Sequence, residues 1–591
     1  MSRARDQLQE LLELGPAGLA FRLRWEAKLR SGLAERLERA PAPLAEAAVP
    51  DAASLAARLP FRREQVVAAV PMTEGDRARL LEQAGDATRG RIRAFGRWPA
   101  DHGVPPDWQR NPVTGASWDP RVHWSRALRD EARAGDVKLA WEIARFPHAY
   151  AMARAAARAP DREGPFAHAL AAQVESFLRE NPYGRGIHWA SSQEIVFRLM
   201  AWLFALGALG PGSPLARVTP LVAEALHSGA IHVERHLEYA RRAVYNNHLL
   251  SEAFGLLLAA ELLPAAPSAR RWRRTGLDVL TAQAGRQLYA DGGYIQLSHN
   301  YERVALQVYL WAIALLRRRG AEVPAPWVAA LSRAVDFLHA QQNPADGRLP
   351  NYGANDGALP SPLTACDFSD FRPTLQAASL AARGERLYES GAWDEEAAWL
   401  LGASALGAPL RPRPRTSVSF RPTGFHVLRG RREDAFAMFR CGTIRDRFSQ
   451  IDMLHLDVWW RGENVLVDPG SYLYNGPEAW HAHFTRTGSH NAVAVDGRDQ
   501  MVHHRRFKNL YWTRAELLRF EDAGTHVIAE GEHYGYRRQP GGCVHRRAVL
   551  FVKDELWVVV DRLGGEGAHD ARVHWLGGPY PHAWDAASGR P

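Results

Sequence analysis

The chain has 591 residues, of which 46% are hydrophobic and 24% charged, and it carries 74 Lys and Arg against 65 Asp and Glu for a formal charge of +9. That is the make-up of an ordinary globular protein with room for roughly two to four domains, and it excludes a disordered or fibrous chain. The three cysteines, Cys366, Cys441 and Cys543, stand alone, which excludes a CxxC metal or redox motif and argues against a disulfide framework.

The excess charge is almost all arginine, because lysine occurs only at Lys28, Lys138, Lys508 and Lys553. With abundant Ala, Gly and Pro this reads as codon bias, so no nucleic-acid partner is expected; an Arg-lined groove for an acidic sugar polymer fits the same excess. No uninterrupted run of about eighteen apolar residues occurs, so no membrane span is expected. Met1-Ser2-Arg3 leads into Leu11-Leu12-Glu13-Leu14 rather than an apolar leader, which predicts a cytoplasmic protein.

From Asp6 to Arg39, leucines at helical spacing broken at Gly15-Pro16 predict two helices. Residues 40–70 read as a connector with one short helix. Phe95 to Trp124 reads as a loop crowded with rings and prolines, including Trp98, Trp108, Trp118 and Trp124, which serve either a core edge or a ligand. From Gly135 to Leu401 the pattern is helical with short breaks, and such helices must bury their faces on one another. Beyond Pro412 and Pro414 short β-rich runs follow, at Phe436–Arg440, Leu456–Trp460, Asn491–Val495, His526–Ala529, Ala548–Val552 and Leu556–Val560. They predict a β-sandwich with no evident closing strand before Pro591. The expected layout is multidomain: N-terminal helices and connector (1–94), a helical domain (95–405) and a β-sandwich (406–591).

Three polar clusters interrupt this pattern. Tyr245-Asn246-Asn247-His248-Leu249-Leu250-Ser251-Glu252 places two amides, an imidazole and a carboxylate within about two helical turns, at a helix start where propensity does not call for them. Taken alone, an N-cap at Asn246 or Asn247 and a core histidine are the preferred reading. Asp291-Gly292-Gly293 to Tyr301-Glu302 sets Gln296, Ser298, His299 and Tyr301 at a second helix entrance. The third lies in the β region: Gln450 to Asp457, Asp468-Pro469-Gly470, and Arg486 to Asn491. A strand beginning at His455 would put His455, Asp457, Trp459 and Arg461 on one face and Leu456, Val458 and Trp460 on the other.

Gly135-Asp136-Val137-Lys138, Trp141 to Arg145, Gly186 to Trp189, Asn247-His248, Gly292-Gly293 through Tyr301, Asp468 to Tyr472 and His490-Asn491 resemble, in identity and order, the heparinase II/III-like polysaccharide lyases. The resemblance implies an N-terminal (α/α) toroid followed by a C-terminal antiparallel β-sandwich, with an acidic polysaccharide or oligosaccharide as partner. It implies β-elimination on a uronic acid, in which the carboxylate is neutralised, a base removes the C5 proton and an acid protonates the departing O4. Carried over, Asn247 with His248 holds the carboxyl, Tyr301 is the acid and in some stereochemistries also the base, and a β-domain histidine is the other proton carrier. Gln296, Glu252, Arg486 and Trp189 are candidate substrate contacts. Members often work in the periplasm, the alternative to the cytoplasm.

One departure matters. Many relatives carry His-x-His-x-Asp on the first sandwich strand, and the register counted back from Asp468 puts Phe448, Gln450 and Asp452 there. Either His455 takes over, the favoured choice, or Tyr301 works with His248. No cofactor is required. A structural divalent ion, zinc or calcium, falls on Asp468, His490 and Gln450, with Gln450 a poor third ligand for zinc. His481, His483, His503, His504, Arg486, Arg505, Arg506 and Lys508 form a basic lip that either meets the polymer or is a solvated face. Two rivals stand beside the lyase: a glycoside hydrolase, for which Asp291, Asp356 and Glu194 are the nearest carboxylates without an obvious pair, and a non-catalytic polysaccharide-binding protein.

Overall fold

The computed structural model describes residues 3–447, 450–505 and 507–581. Helix α1 (Arg3–Arg30) kinks at Gly15, whose φ of 65° no helix interior provides and which stands just before Pro16. Its Trp25 packs on Tyr239, Trp124 and His236. Where one short helix was expected there are two, α2 (Ala52–Arg58) and α3 (Arg63–Ala69), followed by α4 (Glu74–Thr88). Asp51 and Thr73 cap α2 and α4 by accepting from Ser54 and Asp76 backbone N–H groups.

The ring-rich stretch is not all loop. Strands β1 (Arg91–Ala94) and β2 (Trp98–Asp101) form a hairpin, and Trp108, Trp118 and Trp124 are buried, so these three rings plug the core rather than stack on a ligand.

Next come α5 (Lys138–Ala144), α6 (Pro147–Arg158), α7 (Glu163–Glu180), α8 (Ser192–Leu209), α9 (Thr219–Tyr239), α10 (Asn247–Leu262), α11 (Ala269–Ala284), α12 (His299–Arg318), α13 (Ala325–Ala340), α14 (Arg372–Arg383) and α15 (Asp394–Leu401). They alternate between two layers. Helices α6, α8, α10, α12 and α14 pack side by side as an inner layer, and α7, α9, α11 and α13 lie outside them. Composition sorts them: α8 buries all eighteen of its residues, whereas α11 turns Trp272, Val279 and Leu280 inward and is arginine-rich outside. Gly276 lets α11 approach α10, since a Cβ there would lie 2.8 Å from the Ala253 carbonyl oxygen. Helix α15 packs on α3 and α3 on α6, which closes the ring. By length and composition α8 would pass as a membrane span, but it is wholly buried in this ring.

The C-terminal half adds two antiparallel layers. β3 (Val418–Phe420), β4 (Phe425–Arg429), β5 (Phe436–Arg440), β6 (Leu456–Trp460) and β7 (Glu463–Leu466) form one sheet in that order. β8 (Val493–Val495) pairs with the last strand, and β9 (Val502–Arg505) with β10 (Lys508–Leu510). β11 (Ala515–Asp522), β12 (His526–His533), β13 (Val544–Val552) and β14 (Leu556–Gly564) form the other sheet, and β15 (Ala571–Val573) is the partner of β8. The bounds of β5 and β6 are those expected from their apolar runs.

The first sheet is a middle layer. Phe425 packs on Phe337, His299 and Tyr352 of the helical ring, while His426 on the opposite face meets Phe520 of the second sheet. This corrects the expected two-faced strand. β6 begins at Leu456, and Leu456 to Trp459 are buried whichever way they point, because both faces of the sheet are covered.

Candidate functional site

The site forms where the ring meets the middle sheet. A π-type turn at Ala240–Val244 and Tyr245 at φ 45° break the chain before α10. Asn246 is the N-cap, its side-chain oxygen accepting from the His248 N–H at 3.0 Å. The capping reading is therefore right for Asn246, and the cap fixes the two residues that follow. Asn247 is 1% exposed and its amide donates to Gln193 Oε1 at 2.6 Å, while the His248 side chain is 21% exposed. Glu252 is buried one turn on, 3.8 Å from His248 Nδ1, with one oxygen lacking a partner. Burial raises its carboxyl far above the usual range and drives the His248 imidazole down to about 4, so His248 is neutral at neutral pH.

Tyr301 enters from the neighbouring inner helix. Ser298 caps α12 by accepting from the Tyr301 N–H at 3.2 Å, which sets the phenol in the first helical turn. Its hydroxyl donates to Asp356 Oδ2 at 2.8 Å. Burial and then the Asp356 charge raise this phenol well above its ordinary value.

Beneath both helices lies a buried charge network absent from the expected site. Glu194 on α8 accepts from Arg145 Nη2 at 2.8 Å and Lys138 Nζ at 3.2 Å, and Arg145 also donates to Glu142 Oε1 at 2.6 Å. Burial alone would raise Glu194, but Arg145 and Lys138 outweigh it and hold it down at about 2. Arg145 bears electrostatically on both Tyr301 and His248, and Arg447 does so from the β half, donating to the Val244 carbonyl. Gln193 lies against both residues of the pair, accepting from Asn247 and holding its amide nitrogen 3.5 Å from His248 Nε2. Gln287 ties the two helix entrances together, accepting from Tyr294 and donating to the Asn246 carbonyl.

The β half covers this floor. Ser471 Oγ donates to Asn355 Oδ1 at 2.8 Å, and the Tyr474 N–H to Asp136 Oδ2 at 3.0 Å, so the loop after Asp468 lies over the ring. Lys138 Nζ sits 5.4 Å from the Tyr474 ring centre. Tyr472 and Trp480 stand 65% and 55% exposed with their rings 5.7 Å apart.

Several expected contacts fall elsewhere. Trp189 is a core ring, wedged against Tyr183 and His232 with its N–H on the Asn181 carbonyl. Arg486 is a half-exposed β-domain side chain 3.9 Å from Asp499. Gln296 is half-buried beside α12 with an unpartnered side-chain oxygen. The basic lip is answered by α1, because His504 and Arg505 pair with Glu10 and Lys508 with Glu13. Arg506 and Phe448 lie outside the described residues, as does the His481 side chain.

His455, the favoured second proton carrier, is fully buried just before β6, its ring 6.0 Å from that of Tyr352. It accepts from the Asn491 N–H at 3.1 Å and joins Asp452, Asp468 and His490, whose ligand-capable atoms all lie within 4.8 Å of one another. An interior histidine in such a group has no path to a sugar ring, which corrects the expectation. Gln450 spends its amide nitrogen on the Gly470 carbonyl at 3.2 Å, and Asp452 and His455 are the carboxylate and imidazole that join Asp468 and His490. His455 Nε2, His490 Nε2 and Asp452 Oδ2 are buried without partners, and two imidazoles with two carboxylates suit a tetrahedral zinc ion. The hydrolase pair does not assemble: Asp291 bonds Thr423, Glu194 is locked between cations, and Asp356 bonds Tyr301.

Two family models match the chain, Heparinase II/III N-terminus over residues 93–361 and Heparinase II/III-like, C-terminal over residues 412–582. A heparin-sulfate lyase of Bacteroides stercoris is 25% identical over 362 residues, covering 59% of this chain and 47% of that protein. One from Pedobacter heparinus is 23% identical over 461 residues, covering 74% and 62%. The chain thus spans about half the length of the curated relatives it matches. Among solved structures, heparinase III superposes with a TM-score of 0.57 at 17% identity, covering 85% of this chain and 72% of that one. A heparan sulfate lyase mutant from Pedobacter heparinus gives 0.51 at 21%, covering 90% and 74%.

Proposed function

The chain belongs to the heparinase II/III-like family, and from that premise we propose that it is a polysaccharide lyase, cleaving a uronic-acid polymer of the heparan sulfate type by β-elimination. The observation that carries the reading is that a half-buried phenol, Tyr301, and a neutral imidazole, His248, both lie within the electrostatic reach of Arg145 and Arg447. A uronate carboxylate bound there accepts hydrogen bonds, and its neutralisation lets charge spread from C5 as the proton leaves. Asn247 and His248 face the carboxyl group, and Tyr301 moves the proton at the scissile bond. The test is incubation with heparan sulfate and a panel of other uronic-acid polymers. An unsaturated uronate absorbing in the ultraviolet supports elimination, and cleavage without that chromophore contradicts it.

Sugar rings stack on exposed aromatic faces, and Tyr472 and Trp480, two exposed rings inclined at 59° to each other, offer such faces in the β half. Trp480→Ala is expected to raise KM by roughly three- to tenfold, the equivalent of about 1 kcal/mol of ring contact. Steady-state kinetics should show kcat almost unchanged.

Asp452, His455, Asp468 and His490 suit a zinc ion that, when bound, fastens the start of β6 to the turns at 468 and 490. The role is structural, because the four side chains are buried away from the groove. Metal analysis is expected to find about one zinc ion per chain, and chelation should lower the melting temperature. At free zinc a thousandfold above its Kd the ion contributes about 4 kcal/mol. No bound metal and an unchanged melting temperature would contradict the assignment.

A further inference from the structure

Asp356 is held against Tyr301 from three sides. Residue 354 is tied down by Ser298 Oγ, which donates to the Ala354 carbonyl at 2.6 Å. Asn355 N–H donates to Ser471 Oγ at 3.1 Å, and Arg145 Nη1 donates to the Gly357 carbonyl at 2.6 Å. Gly357, at φ 67°, lets the loop press this close, since a Cβ there would fall 1.9 Å from Glu142 Oε1. The result is a carboxylate fixed 2.8 Å from the hydroxyl through which the reaction runs.

A carboxylate is a poor neighbour for a phenol whose only task is to give up its proton, because the phenolate then faces a like charge. It is the right neighbour for a phenol that must first take a proton, since the hydroxyl hydrogen has somewhere to go. The charged and titratable groups around the pair are Lys138 and Arg145 from the ring, and Arg447 and Tyr474 from the β half. Burial raises the Asp356 carboxyl and Lys138 pulls against it, which leaves a usable proton acceptor.

We propose that Asp356 is a positioning residue of the elimination: it takes the Tyr301 hydroxyl proton as Tyr301 Oη takes the C5 proton, and returns it as O4 departs. The inference rests on the lyase reading above. In the first half the C5–H bond breaks, its electron pair passes into the carboxyl-stabilised enolate, and Asp356 becomes the neutral acid. In the second half the C4–O4 bond breaks as the enolate electrons form the C4–C5 double bond. O4 then takes a proton from Tyr301, and Asp356 restores the phenol. No proton, electron or co-reactant is left over. One phenol with a carboxylate behind it thus serves both steps, in a chain whose sequence carries Phe448 and Gln450 at the two expected histidine positions and whose His455 is buried.

The experiment compares Asp356→Asn and Asp356→Glu with the unmodified chain on heparan sulfate across pH, read by product absorbance. For Asp356→Asn the expected result is a kcat about 10²- to 10³-fold lower at neutral pH with KM unchanged. Its rate should then climb ~tenfold per pH unit in alkali, as Tyr301 ionises unaided. Asp356→Glu should recover part of the neutral rate. A loss of equal size at every pH, or a nearly normal Asp356→Asn enzyme, overturns the proposal. If the unmodified chain acts on neither heparan sulfate nor any other uronic-acid polymer of the panel, the lyase reading fails by itself and the proton coupling is read without substrate. Fluorotyrosine at position 301, followed by fluorine NMR, should ionise at lower pH in Asp356→Asn, and an unchanged midpoint overturns the coupling.

Discussion

Tyr301→Phe is expected to lower kcat by about 10³-fold or more while leaving polymer affinity close to normal, because it removes one oxygen and nothing that packs. The ring sits in the first turn of α12, whose cap is Ser298 rather than the phenol, so the helix start survives the change. The hydroxyl has one bond to lose, to Asp356, and that carboxylate lies beside Lys138 and Arg145 and is not stranded without a countercharge. Folding should therefore be little affected. Single-turnover kinetics on heparan sulfate, paired with binding by calorimetry, separates the two effects. Retained turnover would remove Tyr301 from the chemistry, and lost binding would make it a packing residue.

The second large effect is expected from Glu194→Gln. Glu194 is 2% exposed and is the shared counter-ion of Lys138 and Arg145, themselves nearly buried. Removing its charge leaves two cations under the groove with Glu142 as their remaining close acid partner. Breaking a buried pair in this way costs about 3–5 kcal/mol, far more than the pair contributes when intact. Unfolding of the helical half in urea, followed by circular dichroism, should move to lower denaturant, and activity should fall because Arg145 also braces Gly357 beside Asp356. The pH dependence carries the same signature. The Glu194 carboxyl is lowered from 4.5 to about 2 in the folded chain, so its stabilisation is complete above 4.5 and is lost as pH falls toward 2. In Glu194→Gln this part of the acid-induced loss should be absent. An unchanged midpoint and an unchanged acid limb would mean that the network does not hold the site together.

Much of this architecture was legible in the sequence because its causes are local. Helical spacing of apolar residues marks the inner and outer helices, and the short apolar runs Phe436–Arg440 and Leu456–Trp460 are the strands they were expected to be. Asn247, His248 and Tyr301 stand out as polar residues at helix starts, and Arg145 bears electrostatically on both His248 and Tyr301. What escaped was non-local. That β6 is covered on both faces follows from a sheet sandwiched between the ring and a second sheet, which strand periodicity cannot reveal. His455 was placed by its strand, but its neighbours Asp468 and His490 come from separate turns and draw it into a buried cluster. Trp189, exposed to no groove, carries the same letter as a stacking tryptophan. Arg447 and the Lys138–Glu194–Arg145 network lie far apart along the chain. Lys138 and Arg145 fell within motifs used for recognition, and a lone lysine in an arginine-rich chain was the one available hint.

The central claim is that the glycosidic bond is broken by elimination, with no water entering the products. The direct measurement is mass spectrometry of heparan sulfate fragments released by the purified chain in water enriched in heavy oxygen. The account predicts fragments whose masses sum to that of the parent chain, each new non-reducing end carrying a double bond and no heavy oxygen arriving by bond cleavage. Fragments heavier by one water, with heavy oxygen at the cleaved position, would contradict it.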